Sequence, residues 1–89
     1  MRNAQLIKSN GETIPISIPE EGKLKFLQDK VGGYIEMVES SQDPNLYVIC
    51  NEEGKINGLP INYKATVLHR FKYDPLVGDV IICNKELIN

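Results

Sequence analysis

Residues 46–66 read LYVICNEEGKINGLPINYKAT. The prediction of the fold depends on whether this stretch forms strand, turn or helix. The first five residues, LYVIC, form a near-continuous apolar run that predicts a central strand covered on both faces. The following residues 51–66 bring two turn signals, a proline, three asparagines and several other polar side chains. Next comes VLHRF (67–71), a run whose pattern suits either a helix or a strand. Residues 51–66 are therefore either a connection or a site.

The turn chemistry of this stretch favours a connection that ends in a short helix. Gly54 and Asn57-Gly58 predict two turns, Pro60 fixes its own φ, and Asn62 is suited to cap a following helix. The apolar spacing predicts that this helix covers about residues 62–70. A strand stays open as the alternative, because Thr66 and Val67 are β-branched and Ala65, Val67 and His69 alternate.

The flanking segments predict a mainly antiparallel sheet. Asn10-Gly11 separates two β-like runs in AQLIKSNGETIPISIP (4–19), which indicates an N-terminal hairpin, and Pro15 assigns its second strand to a sheet edge. Leu24, Leu27 and Val31 share helical spacing, and Gly32-Gly33 ends that helix. Further strands are expected in YIEMVES (34–40), in LYVIC and at Val80 to Cys83. The fold class is therefore α+β, with a mostly antiparallel sheet of about five strands and one or two short helices.

Length and composition predict a single domain over residues 1–89. A chain of 89 residues supports one small core, and its 42% hydrophobic content is ordinary for a packed protein. The net charge of −2, with no run of like charges, argues against a nucleic-acid partner. No segment is apolar and long enough to cross a membrane or to resemble a secretory signal, so a cytoplasmic location is expected. Cys50 and Cys83 each end an apolar run and are expected to be reduced core residues.

Residue patterns that carry catalysis or cofactor binding are weak in this chain. His69 is the single histidine, and no close pair of Cys or His residues has zinc-ligand spacing. Neither GKING (54–58) nor VGGY (31–34) fits a phosphate-binding loop. We expect no catalytic residues, no metal and no cofactor, and a protein that is not an enzyme.

One corner of residues 51–66 is a candidate ligand site. A helix that starts near Asn62 offers backbone N–H groups to an anion, and polar side chains cluster around that start. The same residue types also occur in turns and caps without any ligand, and the structural interpretation is favoured roughly two to one. The candidate ligand-binding residues are Asn57, Gly58, Asn62, Lys64 and Thr66.

Three segments, taken together, resemble a known family. VGGYIEMVE, LYVICNEEGKINGLPINYKAT and DPLVGDVIICN resemble, in the same order and at similar spacing, small uncharacterised proteins with a domain of unknown function. These proteins are carried by bacteriophages, plasmids and gut bacterial mobile elements. The resemblance runs from about Gln5 to Asn84, and NEEGKxxGLPxNxxAT with VGDV is its most specific part. The matching positions are Asn51, Gly54, Gly58, Leu59, Pro60, Asn62, Ala65, Thr66, Gly78 and Asp79.

The resemblance implies a binding function by analogy and assigns no role to any residue. It favours a small accessory protein that binds a host protein or a nucleotide-like, phosphorylated ligand in the host cytoplasm, and that counters host defence. One alternative is a homodimer or higher homo-oligomer without a ligand, built through apolar strands and the tyrosines Tyr34, Tyr47, Tyr63 and Tyr73. The other is a small hydrolase-like enzyme, which requires His69, Glu36 and a thiol to converge in space.

Overall fold

The computed structural model describes residues 3–68 and 74–88, which form one five-stranded antiparallel sheet with two helices. The strands are β1 (Ala4–Ile7), β2 (Thr13–Ile16), β3 (Ile35–Glu39), β4 (Leu46–Asn51) and β5 (Val80–Asn84). Their order across the sheet is β2-β1-β5-β4-β3. The helices are α1 (Lys23–Val31) and α2 (Tyr63–Thr66), and a 3₁₀ turn spans Lys85–Leu87. The predicted α+β class, with a five-stranded antiparallel sheet and an N-terminal hairpin, is confirmed.

The hairpin has the predicted edge position. Strand β2 pairs only with β1 in the sheet, so Pro15, which has no N–H to donate, lies on an outer strand. The loop is closed by the backbone amide of Lys8, which donates to the carbonyl of Glu12 at 2.8 Å. On this outer strand Ile16 packs against the apolar cluster, whereas Ile14 is 37% exposed.

Alternate residues of the central strands enter two separate apolar clusters, one on each face of the sheet. Ile49 and Ile81 face α1 and pack with Leu27 and Val31. Val48 and Val80 face the opposite side, which we call the second face. All four strand residues are fully buried, so the prediction that LYVIC is covered on both faces is confirmed.

Helix α1 covers the first face and ends where its glycines predict. Leu27 and Val31 are buried, and the Gly32 amide donates to the Gln28 carbonyl at 2.8 Å to close the last turn. Leu24, expected on the apolar face, is 57% exposed, whereas Phe26 packs against the cluster instead. The apolar stripe is therefore rotated toward Phe26.

Among residues 3–68 and 74–88, no helix longer than the four residues of α2 covers the second face. Residues 52–68 and 74–79, here called the covering segment, contribute Ala65, Leu68 and Leu76 to its apolar cluster. Helix α2 begins after Asn62 as predicted and is helical through Thr66, with a turn at 67–68. The remainder of the predicted helix, residues 69–70, lies outside the described residues.

Candidate functional site

Asn51 attaches the start of the covering segment to the opposite layer of the fold. Its Nδ2 donates to the carbonyl of Val31 at the end of α1 at 3.2 Å, and its Oδ1 accepts from the Glu53 amide at 2.8 Å. The side chain is buried, and Gly33 lies so close that a Cβ there would be 2.9 Å from Nδ2. Asn51 thus satisfies a helix-end carbonyl and starts the following turn.

Both turns predicted for this stretch are present, and together they form one capped helical turn. The Gly58 amide donates to Lys55 and the Leu59 amide donates to Gly54, at 3.2 and 3.0 Å. These two bonds define a Schellman motif, whose residue after the cap takes a left-handed conformation; Gly58 has φ of 69°. Gly54 is needed for space, since a Cβ there would be 2.6 Å from a methyl of Val77.

The chain then runs beside residues 76–78 and is bonded to them repeatedly. The Asn62 amide donates to Leu76 at 2.8 Å, the Gly78 amide donates to Pro60 at 2.7 Å, and Ile61 bridges Val77. Residues 60–62 and 76–78 therefore form a short two-stranded ribbon over the second face.

Asn62 is the buried centre of this ribbon. Its Nδ2 donates to the carbonyls of Ile7 at 2.8 Å and Gly78 at 2.9 Å, and its Oδ1 accepts from the Ala65 amide at 3.0 Å. The predicted N-cap is therefore confirmed. The same amide also fastens the covering segment to β1, and every one of its contacts is internal.

Thr66 also bonds inward. Its Oγ1 donates to the Asn62 carbonyl at 2.7 Å and accepts from the Leu76 amide at 3.0 Å. Lys64 points away from this network, and its Nζ donates to Thr13 Oγ1 on the hairpin at 2.6 Å. Within residues 3–68 and 74–88, no hydrogen bond joins Asn57 to the other four candidate ligand residues. Of the five candidate residues, Asn62 and Thr66 are joined by hydrogen bonds. Ligand binding by the five residues remains a prediction.

The outward side of the covering segment carries four exposed large side chains with apolar surface among its polar residues. Tyr63 is 75% exposed and Val67 is 61% exposed. Val67 is the C-cap of α2 and lies four residues after Tyr63, so the two residues share one side of this helical turn. Ile56, at 85% exposure, and Ile61 are also solvent-accessible on the segment.

The sequence points to Tyr63 only as one of the tyrosines of a possible homo-oligomer. It gives no role to Ile56 and Val67, and the helical spacing places Ile61 with the inward residues Ala65 and Leu68, whereas Ile61 is 39% exposed. The signal that could have identified Tyr63 and Val67 is their four-residue spacing, which places them on the side of the helical turn opposite the buried Ala65.

The two thiols are buried, as predicted, and neither is part of a disulfide. Burial raises the pKa of Cys50 from 9.0 to about 11, with a smaller contribution in the same direction from Glu36, and Lys55 opposes both. Burial raises the pKa of Cys83 to about 11 as well. A thiol with such a pKa is protonated at neutral pH and is a poor nucleophile.

A small cavity lies beside Cys50, between the end of β4 and residues 74–77. Its volume is about 170 Å³, well below the roughly 300–1,000 Å³ usual for small-molecule sites. Glu36 and Glu52 line it together with an ion pair between Lys55 and Asp74. His69, the remaining member of the hypothetical enzyme site, lies outside the described residues.

Neither a metal centre nor a membrane segment emerges from the part of the chain that the structure describes. Across residues 3–68 and 74–88, no three His, Cys, Asp or Glu side chains are grouped as metal ligands. Over the same residues, no helix has the length and apolar character needed to cross a bilayer.

These observations define a small α+β domain whose polar central stretch is hydrogen-bonded into its own covering layer. The chain belongs to the family described as Domain of unknown function (DUF3846), whose model matches residues 1–87. Comparisons with curated proteins and with solved structures find no match.

Proposed function

We propose that this protein acts by binding a partner and not by catalysis, as a small accessory protein of a phage or other mobile element. The partner we favour is a host protein in the host cytoplasm, bound through the outward side of the covering segment. Interference with host defence is the physiological role that the analogy with small phage proteins suggests.

One observation carries this proposal: next to the buried Asn62, a tyrosine and a valine expose most of their surface to solvent. Asn62, a polar residue, is fully buried, whereas Tyr63 and Val67 are mostly exposed. Exposed apolar groups beside an exposed tyrosine are typical of protein-binding surfaces, where aromatic residues are enriched. Burying Tyr63 and Val67 against a partner would remove that apolar area from water.

A phosphorylated small ligand is the second candidate, and Lys64 supports it. Its ammonium group lies on the exposed side of the covering segment beside Thr13 Oγ1, so a cation and a hydroxyl are close together. Asn62 and Thr66 support it less, because their side chains are already bonded internally. A homo-oligomer is the third candidate, and the exposed Tyr34 and Tyr63 are consistent with it.

The test compares two surface variants of matched chemistry. Tyr63→Ser/Val67→Ser removes the exposed tyrosine and valine of α2 and its C-cap. Tyr34→Ser/Leu24→Ser removes a tyrosine and another aliphatic side chain of similar exposure elsewhere. Each protein is expressed with an affinity tag in the host, cross-linked in cells, and purified for identification of bound proteins. We expect a host protein with wild type and with the Tyr34/Leu24 variant, and its loss with the Tyr63/Val67 variant.

A partner retained equally by both variants would refute this surface as the binding site. Absence of any captured host protein, together with a thermal shift on adding nucleotides, would favour the ligand candidate, since a ligand of the native state raises its stability. Lys64→Gln should abolish such a shift. A dimeric mass by light scattering that becomes monomeric in either variant would favour the homo-oligomer.

A further inference from the structure

The chain contains two Asn-Gly dipeptides, Asn10-Gly11 and Asn57-Gly58, and the fold treats them differently. Such dipeptides deamidate in water, because a glycine after the asparagine leaves the backbone nitrogen sterically accessible. Both asparagines are exposed, so burial does not distinguish them. The difference lies in their side-chain hydrogen bonds.

Asn10 is held at both ends of its amide. Its Nδ2 donates to Glu12 Oε1 at 2.9 Å, and its Oδ1 accepts from the Glu12 amide at 2.9 Å. The attacking nitrogen, the Gly11 amide, is also occupied, since it donates to the Lys8 carbonyl at 2.9 Å. Reaction at Asn10 therefore requires its side chain to break both hydrogen bonds with Glu12 before Cγ can turn toward the Gly11 nitrogen.

Asn57 has no such restraint. Within residues 3–68 and 74–88 its side chain makes no hydrogen bond, and the Gly58 amide is held by one longer contact, 3.2 Å, to the Lys55 carbonyl. The surrounding residues 55–58 are exposed on the surface of the covering segment. One backbone bond must open here, compared with one backbone and two side-chain bonds at Asn10.

From this contrast we infer that Asn57 is the site of spontaneous deamidation in the folded protein and that Asn10 is protected. The Gly58 nitrogen bonds to Cγ of Asn57 and loses its proton, while the Cγ–Nδ2 bond breaks and the amide nitrogen leaves as ammonia. Water then opens the cyclic imide at either carbonyl, which yields aspartate or isoaspartate. Either product adds one negative charge to the outward side of the covering segment.

The isoaspartate product has a further structural consequence. It inserts an extra carbon into the backbone at the cap of the Schellman motif. Gly58 is then displaced from the position in which its N–H donates a hydrogen bond to the Lys55 carbonyl. Leu59, the next residue along the chain, donates its amide to the Gly54 carbonyl, and its side chain lies where a Cβ on residue 78 would clash. Deamidation at Asn57 thus alters the covering segment itself.

The experiment incubates the purified protein at mildly alkaline pH and follows both sites by peptide mapping that separates aspartate from isoaspartate. We expect deamidation at Asn57 to be about tenfold or more faster than at Asn10, the factor expected if two ordinary side-chain hydrogen bonds must open first. In urea, where neither restraint survives, the two sites should react at similar rates. Asn57→Gln should remove the fast reaction and leave Asn10 slow.

Glu12→Ala provides the complementary change, because it removes the Oε1 acceptor and leaves Asn57 untouched. It should accelerate deamidation at Asn10 severalfold. Equal rates at the two sites in the folded protein, or a faster reaction at Asn10, would overturn the inference. Failure of both sites to react when folded, despite reaction in urea, would overturn it too.

Discussion

For Asn62, one of the hydrogen bonds of the side chain can be predicted from the sequence and the other two cannot. Its capping role follows from local chemistry, because an asparagine before a helical pattern commonly accepts from an amide three residues later. Its two donated bonds reach Ile7 and Gly78, which are 55 and 16 residues away in sequence. No local pattern identifies such partners. The complete burial of this polar residue, the strongest argument against ligand contact, was therefore accessible only from the fold.

Replacing Asn62 by aspartate should destabilise the protein strongly. Asn62→Asp retains an oxygen for the Ala65 amide but leaves the Ile7 and Gly78 carbonyls facing a carboxylate. We expect a loss of at least about 3 kcal/mol in the free energy of unfolding at pH 7, measured by urea denaturation.

Acid should restore part of that loss. A buried carboxyl that faces carbonyl oxygens has a raised pKa, so its contribution to stability is present at low pH and is lost as pH rises. Asn62→Ala, which does not titrate, is the control for this pH dependence. Equal stability of Asn62→Asp and wild type at pH 7 would show that the Asn62 network is not structural.

The buried thiols should make the protein less stable in alkali. Both folded-state pKa values are about 11, above the ordinary value of 9.0, so the unfolded chain releases its thiol protons first. This contribution to stability is fully present below pH 9 and decreases as pH rises toward 11. Urea midpoints at pH 8 and pH 10 should differ more for wild type than for Cys50→Ala/Cys83→Ala. An identical pH dependence in both proteins would contradict the conclusion that burial raises the pKa of these thiols.

At the scale of elements, the parts of the fold that sequence predicted well have local causes. The hairpin, the end of α1 at Gly32 and the apolar strands β4 and β5 all follow from turn residues and short-range patterning. The orientation of α1 was less accessible, because Leu24 and Phe26 suit the same helix and only the shape of the sheet decides between them. In the covering segment the sequence predicts the two turns and the capped start of α2 correctly, but it predicts a helix to about residue 70, whereas α2 ends at Thr66 and residues 67–68 form a turn. The ribbon with residues 76–78 depends on contacts distant in sequence.

Two glycines of the covering segment should respond differently to alanine. Gly58 has a left-handed φ of 69° with open space around its Cα, so Gly58→Ala should cost about 1–2 kcal/mol from backbone strain alone. Gly78 has φ of 73°, and a Cβ there would lie 2.8 Å from Leu59 Cδ1. Gly78→Ala should therefore cost about 2–4 kcal/mol, because overpacking adds to strain.

A double-mutant cycle separates the two effects. Shortening the neighbour in Gly78→Ala/Leu59→Ala should relieve the clash, so the double variant should be more stable than the sum of the single losses predicts, by about 1 kcal/mol or more. Gly58→Ala/Leu59→Ala, where no clash exists, should be closer to additive. Additivity in both cycles would show that Leu59 does not restrict residue 78.

At the scale of the whole molecule, the two faces of the sheet are covered by different means. Helix α1 covers one face through apolar side chains at helical spacing. The other face is covered by an irregular segment held by Asn51, Asn62 and Thr66, whose hydrogen bonds replace the regularity of a helix. Of the ten positions that carry the sequence resemblance, Gly54 and Gly78 admit close neighbours, Asn62 and Thr66 bond inward, and Ala65 is fully buried. We therefore propose that binding uses the exposed residues that lie between them in the sequence.

Amide hydrogen exchange tests this account most directly, because it distinguishes a hydrogen-bonded covering layer from a connecting loop. The amides of Asn62, Ala65, Leu76 and Gly78 all donate to acceptors within the covering segment. They should exchange at least about 100-fold more slowly than the same amides in an unstructured peptide, as expected for a stably closed unit. In Thr66→Val, which removes the acceptor of the Leu76 amide, exchange at Leu76 should accelerate while amides of β1 and β5 stay protected. Exchange of these four amides at unstructured rates in the wild-type protein would contradict the account.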